Sequence, residues 1–112
     1  MYQENIVLCA ASAYEKKFYL NEDFQTLPES IKQELQIICT LFTADVGGVL
    51  IMEFDDEGSL QLRVDVAEED ILFDDIGSGL KIKQIQQERK ELFEALEMYY
   101  KVFFLDDTEE LD

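Results

Sequence analysis

The chain has 112 residues, with nine Lys and Arg against 26 Asp and Glu and a formal charge of −17; free nucleic acid and anionic membrane are poor partners for such a surface, because their phosphates are repelled. Its hydrophobic share of 47% is enough to offset chain entropy, so the composition excludes intrinsic disorder and predicts one globular domain. There is no histidine, which removes the commonest general base and metal ligand and leaves serine, cysteine and zinc mechanisms of the usual kinds without a partner.

The first 25 residues, with "NIVLCAAS" and "KKFYLN", predict two strands around a turn at Ala13 to Lys16. Ile6, Leu8 and Ala10 share one face of the first strand, and Phe18 and Leu20 one face of the second. A single helix from Ile6 to Leu20 is the alternative, since small residues blur the period. The β-prone "FYL" followed by the breaker "NEDF" favours the hairpin. With Glu4 and no basic residue ahead of a short apolar run, the N-terminus does not read as a signal peptide. Nor does any stretch approach the roughly 18 apolar residues of a membrane span. These features predict a cytoplasmic protein without membrane contact.

"TLPESIKQELQIICTLFTADVGG" predicts a helix with visible ends. Thr26 and Glu29 have capping-box spacing, Pro28 falls in the first turn, and Gly47-Gly48 terminates the element. Ile31, Leu35, Ile38 and Phe42 form its core stripe. Strands follow at 49–54 and 60–66. A three-residue loop, Asp56-Glu57-Gly58, sets Phe54 opposite Leu60, Met52 opposite Leu62 and Leu50 opposite Val64, with Gly58 in the left-handed position. One long helix is predicted from about Leu80 to Leu105, with Ile82, Ile85, Leu92, Leu96, Tyr99 and Phe103 inward and Glu97–Lys101 as an i,i+4 pair. Residues 106–112, "DDTEELD", oppose the helix dipole and are expected to be a flexible acidic tail beyond a domain spanning 1–105. The fold class is therefore α+β, in the order β-β-α-β-β-α. A four-stranded antiparallel sheet would carry two helices on one face, with "DILF" as a candidate fifth strand.

Among chemical groups, Cys9 and Cys39 fall in apolar runs and read as buried core thiols. "GG" and "GSG" form no nucleotide-binding pattern, and neither "DDEGSLQL" nor "EEDILFDDIGSG" has the alternating ligands of an EF-hand loop. No metal site, cofactor or catalytic residue is assigned. The stretch "EEDILFDDIG" at 68–77 has two readings. It is either a linker tucking Ile71 and Phe73 under the sheet edge, or an acidic rim of Glu69, Asp70, Asp74 and Asp75 around Ile71 and Phe73 as anchors for a partner. A second apolar strip on the last helix, Phe93, Tyr100 and Phe104, is either core or a homodimer interface.

"LPESIKQELQIICTLFTADVGGVL" and "GLKIKQIQQERKELFEALEMYYKVFFL" resemble the helical stretches of an uncharacterised family of short acidic proteins from anaerobic Firmicutes. That resemblance implies a bacterial cytosolic protein of unassigned activity. In size, acidity and mixed α/β content the chain is also similar to bacterial secretion chaperones, although the predicted order lacks their first helix. The expectation is a non-enzymatic interaction module for a basic or amphipathic protein segment, in one variant an antidote or nucleic-acid mimic. A divalent-metal enzyme using paired carboxylates and a chaperone-like homodimer are the alternatives.

Overall fold

The computed structural model describes residues 5–105, so the expected acidic tail lies outside the described residues. In chain order they form β1 (Ile6–Ser12), β2 (Lys17–Leu20), a 3-10 turn (Glu22–Phe24), α1 (Glu29–Val46), β3 (Val49–Phe54), β4 (Leu60–Asp65), α2 (Asp75–Glu88) and α3 (Lys90–Phe103). The four strands make one antiparallel sheet in the order β2-β1-β3-β4. The expected α+β class and the N-terminal hairpin hold. There are three helices rather than two, and "DILF" runs as turns instead of a fifth strand.

Parity fixes the pairing of β3 with β4: Phe54 faces Leu60, Met52 faces Leu62 and Leu50 faces Val64, as predicted. The loop closes with the Asp55 and Gly58 amides donating to the Ser59 and Asp55 carbonyls, and Gly58 sits at φ +88°. A Cβ at Gly58 would lie 2.9 Å from Lys101 Cγ, so both the backbone conformation and the approach of α3 require glycine. Asp55 organises the same turn, its carboxylate accepting from the Glu57 and Ser59 amides and the Gln61 side chain. Slight desolvation pulls its pKa up, but these donors outweigh it and hold the carboxyl below its ordinary value.

In β1 the alternation breaks. Val7 pairs with Glu53 but Cys9 pairs with Met52, so Leu8 is inserted as a bulge. One extra residue reverses the inward set, which is why Cys9 and Ala11, rather than Ala10, join Leu50, Met52 and Phe54 in the core. From above, α1 contributes Leu35, Ile38, Cys39 and Phe42, matching its predicted stripe except that Ile31 is only partly buried. Gly47 ends α1, as its sequence predicts. Its start differs: Pro28 is the cap residue with no side-chain cap bond, and the Thr26 hydroxyl is hydrogen-bonded to Tyr99 instead.

The predicted single C-terminal helix is two, divided at Arg89 (φ −112°, ψ 27°). Arg89 swings its guanidinium onto Glu34 of α1, and α3 leaves α2 to close the core over β3. The inward set is Ile85, Phe93, Leu96 and Tyr100, while Leu92 and Tyr99 are only partly buried and Phe103 is exposed. Phe93 and Tyr100, candidates for a homodimer strip, are thus committed to the chain's own core. Phe104 stacks on Tyr100 and Phe24 at 5.0 and 4.8 Å between ring centroids. Glu97 accepts from the Leu60 amide of β4 rather than pairing with Lys101.

Gly58→Ala is expected to cost about 1–2 kcal/mol, read as a lower urea midpoint. Because its folded pKa is depressed, Asp55 contributes stability that is complete above the unfolded value of about 4 and fades as pH falls through the lower folded value. The urea midpoint measured against pH should therefore decline less steeply below about pH 4 in Asp55→Asn than in the parent.

Candidate binding surface

The connection from β4 to α2, residues 66–74, is pinned at both ends. Near its start, the Tyr14 hydroxyl of the β1–β2 turn donates to Asp70 Oδ2 at 2.7 Å and accepts from the Ala67 amide at 3.1 Å. The Ala67 amide favours the phenolate, but donation to Asp70 and the nearby Asp70 and Glu69 charges outweigh it, so the Tyr14 pKa is raised. At the far end Phe73 rests against Gly47 and Gly48. A Cβ on Gly48, which has φ +74°, would come within 3.1 Å of the Phe73 ring, so the glycine pair that ends α1 also makes room for this anchor. Asp74 then caps α2, its carboxylate accepting from the Gly77 amide at 2.9 Å. A Cβ at Gly77 would lie 2.5 Å from Asp74 Oδ2, so the cap depends on the glycine.

Between these anchors the chain turns outward. Ile71 and Leu72 are 87% and 90% exposed, and Ile76 and Leu80, one helical turn apart on α2, are 79% and 64% exposed. Leu72 and Leu80 border a shallow depression with Asp45 and Val46 at the end of α1 and with Asp74 and Lys81. Lys81 pairs with Asp45 at 3.5 Å, and Arg89 pairs with Glu34. These two ion pairs join α1 and α2 as antiparallel neighbours. Leu41 and Ile37, one and two turns before Asp45 on α1, are also exposed and extend the apolar strip along that helix. Glu68, Glu69 and Asp75, flanking this stretch in sequence, are exposed.

The predicted site residues separate by role. Ile71 is a free apolar tip, and Glu69 and Asp75 are exposed acids. Phe73 faces inward as a structural anchor, Asp70 is engaged by Tyr14, and Asp74 is a helix cap. Ile71 is exposed while Phe73 is half-buried, so the linker that tucks both under the sheet edge does not hold for Ile71. Elsewhere, Cys9 and Cys39 sulfurs lie 3.8 Å apart in the core. The contact with Cys39 and burial push the Cys9 thiol well above its usual pKa, so it is a poor nucleophile. Among the described residues, no three acidic or cysteine side chains are grouped to hold a metal ion, and no helix is long and apolar enough to cross a membrane.

Residues 5–109 match a family described as "Family of unknown function (DUF6145)". The chain belongs to this family. No curated protein and no solved structure matches it. The membership agrees with the resemblance of the two helical stretches to a family without assigned activity, and it leaves the chemistry of this member to be read from its own surface.

Ile76 and Leu80 are missing from the predicted site because the predicted last helix starts only at about Leu80. Starting it at Asp75 places Ile76 and Leu80 at i,i+4, and the Asp74-x-x-Gly77 cap was the available signal. Removing the cap with Asp74→Ala is expected to cost about 1 kcal/mol by urea denaturation, while Asp74→Asn, which keeps the acceptor, stays near the parent.

Proposed function

We propose that this member of the family is a non-enzymatic, cytoplasmic protein-interaction module whose α1–α2 surface receives a basic amphipathic protein segment. The observation that carries this reading is the exposure of Leu72 and Leu80 on one depression, with Ile71 and Ile76 also exposed in the same stretch of chain, next to a loop end pinned by Tyr14 and Phe73. Large apolar side chains grouped in water are unfavourable for a monomer and become favourable when a partner covers them. Pinning the loop lowers the conformational entropy that binding must remove.

The surrounding charge selects the partner's sign. Asp45 and Asp74 border the depression, and Glu69 and Asp75 are exposed beside its apolar residues in sequence, in a chain of net charge −17, so a segment with Lys or Arg flanking its apolar face is steered in and an acidic one is repelled. The same field opposes a second copy of the chain at this surface. Apolar burial then sets residence time, and the rim sets approach.

The test is a calorimetric titration with a synthetic lysine- and leucine-rich amphipathic helix at low and high salt. Leu72→Ser and Leu80→Ser are each expected to weaken binding about tenfold, in line with about 1.5–3 kcal/mol for a buried leucine. Asp75→Asn should reduce the salt dependence. Equal affinity in the leucine variants would reduce the interaction to general attraction between opposite charges and remove the reading.

A further inference from the structure

On the opposite side of the molecule, one face of the sheet is covered by none of the described helices. Leu35, Ile85 and Leu96, one from each helix, enter the core with Cys9, Leu50, Met52 and Leu60, so the alternate strand residues point the other way. Register sets those residues in rows across β2, β1, β3 and β4. One row is Tyr19, Ala10, Ile51 and Arg63, and the next is Lys17, Ser12, Val49 and Asp65. Ala10, Val49 and Ile51 are half-buried, and Tyr19 is 53% exposed.

Charge sets this face apart. Among its strand residues Lys17 and Arg63 offset Glu53 and Asp65, in a chain of net charge −17. A basic partner is drawn to the acidic surfaces elsewhere, whereas a second copy of the chain meets no net repulsion here. Each row also has complementary ends: Lys17 and Asp65 close one, and the Tyr19 ring and the Arg63 guanidinium close the other. Between the ends, β1 presents the small side chains of Ala10 and Ser12 beside the branched Ile51 and Val49 of β3.

We propose that a second copy of the chain packs face to face on this surface, about a two-fold axis parallel to the strands and between β1 and β3. Such an axis keeps each row and exchanges its ends. Lys17 then faces the second copy's Asp65 and Tyr19 faces its Arg63, an ion pair and a cation–π contact that are each made twice. Ala10 and Ser12 face Ile51 and Val49, so small groups receive large ones. Sheets packed in this way lie about 10 Å apart with their strands within about 30° of each other, an offset that the long side chains at the row ends can span. The proposal does not rest on the α1–α2 surface, which lies on the helical side.

Sedimentation of the full-length protein over a concentration series in physiological salt should show a reversible monomer–dimer equilibrium. Lys17→Asp and Asp65→Lys each turn both ion pairs into like-charge pairs and should weaken the dimer about tenfold, the scale of two exposed pairs reversed. Both positions are exposed, so each variant should melt close to the parent. Mixing the two variants should restore association, because both pairs re-form with reversed sign between unlike chains. Within one chain Lys17 and Asp65 are three strand spacings apart, about 14 Å, so that recovery has no explanation inside a monomer. Leu72→Ser, on the other surface, should leave the equilibrium unchanged. A monomer at every concentration, a dimer lost in Leu72→Ser, or no recovery in the mixture would each overturn the proposal.

Discussion

Tyr100 of α3 lies almost parallel to Phe54 of β3, with ring centroids 4.2 Å apart, and the arrangement of the C-terminal half depends on that stack. Phe104 stacks on Tyr100 and Phe24 stacks on both Phe104 and Phe54, joining the 3-10 turn, the central strand and the last helix in one aromatic cluster. Burial and the nearby Asp55 charge push the Tyr100 phenol above its ordinary pKa, so the ring remains neutral there. Each such ring contributes its buried area and about 0.5–1.5 kcal/mol of ring pairing. With α3 held across β3 by this cluster, α2 is the helix left beside α1, and among the described residues no further layer covers its outer side.

This division explains what the sequence could and could not disclose. Pairing of β3 with β4 was legible because alternation has a period of two and the loop length must match it; only one register keeps Leu50, Met52 and Phe54 with Leu60, Leu62 and Val64. The same reasoning failed in β1, where the bulge at Leu8 shifts parity without any glycine or proline to announce it. Helical phase failed at Arg89 for a similar reason. "QQERKEL" contains only good helix formers, and the division there reflects the tertiary pull of Glu34 and the aromatic cluster. Local propensity is a weak prior against such contacts.

The acidic stretch at 68–77 was recognisable as unusual, but the partition of its three apolar residues was not. Three adjacent side chains in a turn point in different directions, and only the presence of space against Gly47 and Gly48 selects Phe73 to face inward. In sequence Asp70 and Asp74 read as rim charges, yet one is held by a tyrosine 56 positions away in sequence and the other by the helix it begins. Abundance of carboxylates conceals which of them have structural work, because composition records charge and not hydrogen bonds.

The sheet has two free edges, β2 and β4, and β4, with six residues against four in β2, offers the longer row of unpaired backbone groups. On its outward face Arg63 is bound to Glu53 across the sheet and to Asp65 along the strand. A strand arriving at that edge would have to settle beside a cluster of fixed charges, and the charged turn after Phe54 and the acidic loop after Asp65 bracket both ends. Edge-to-edge polymerisation is thereby discouraged, which lets a small protein keep an open sheet margin and exposed leucines elsewhere without inviting fibril growth.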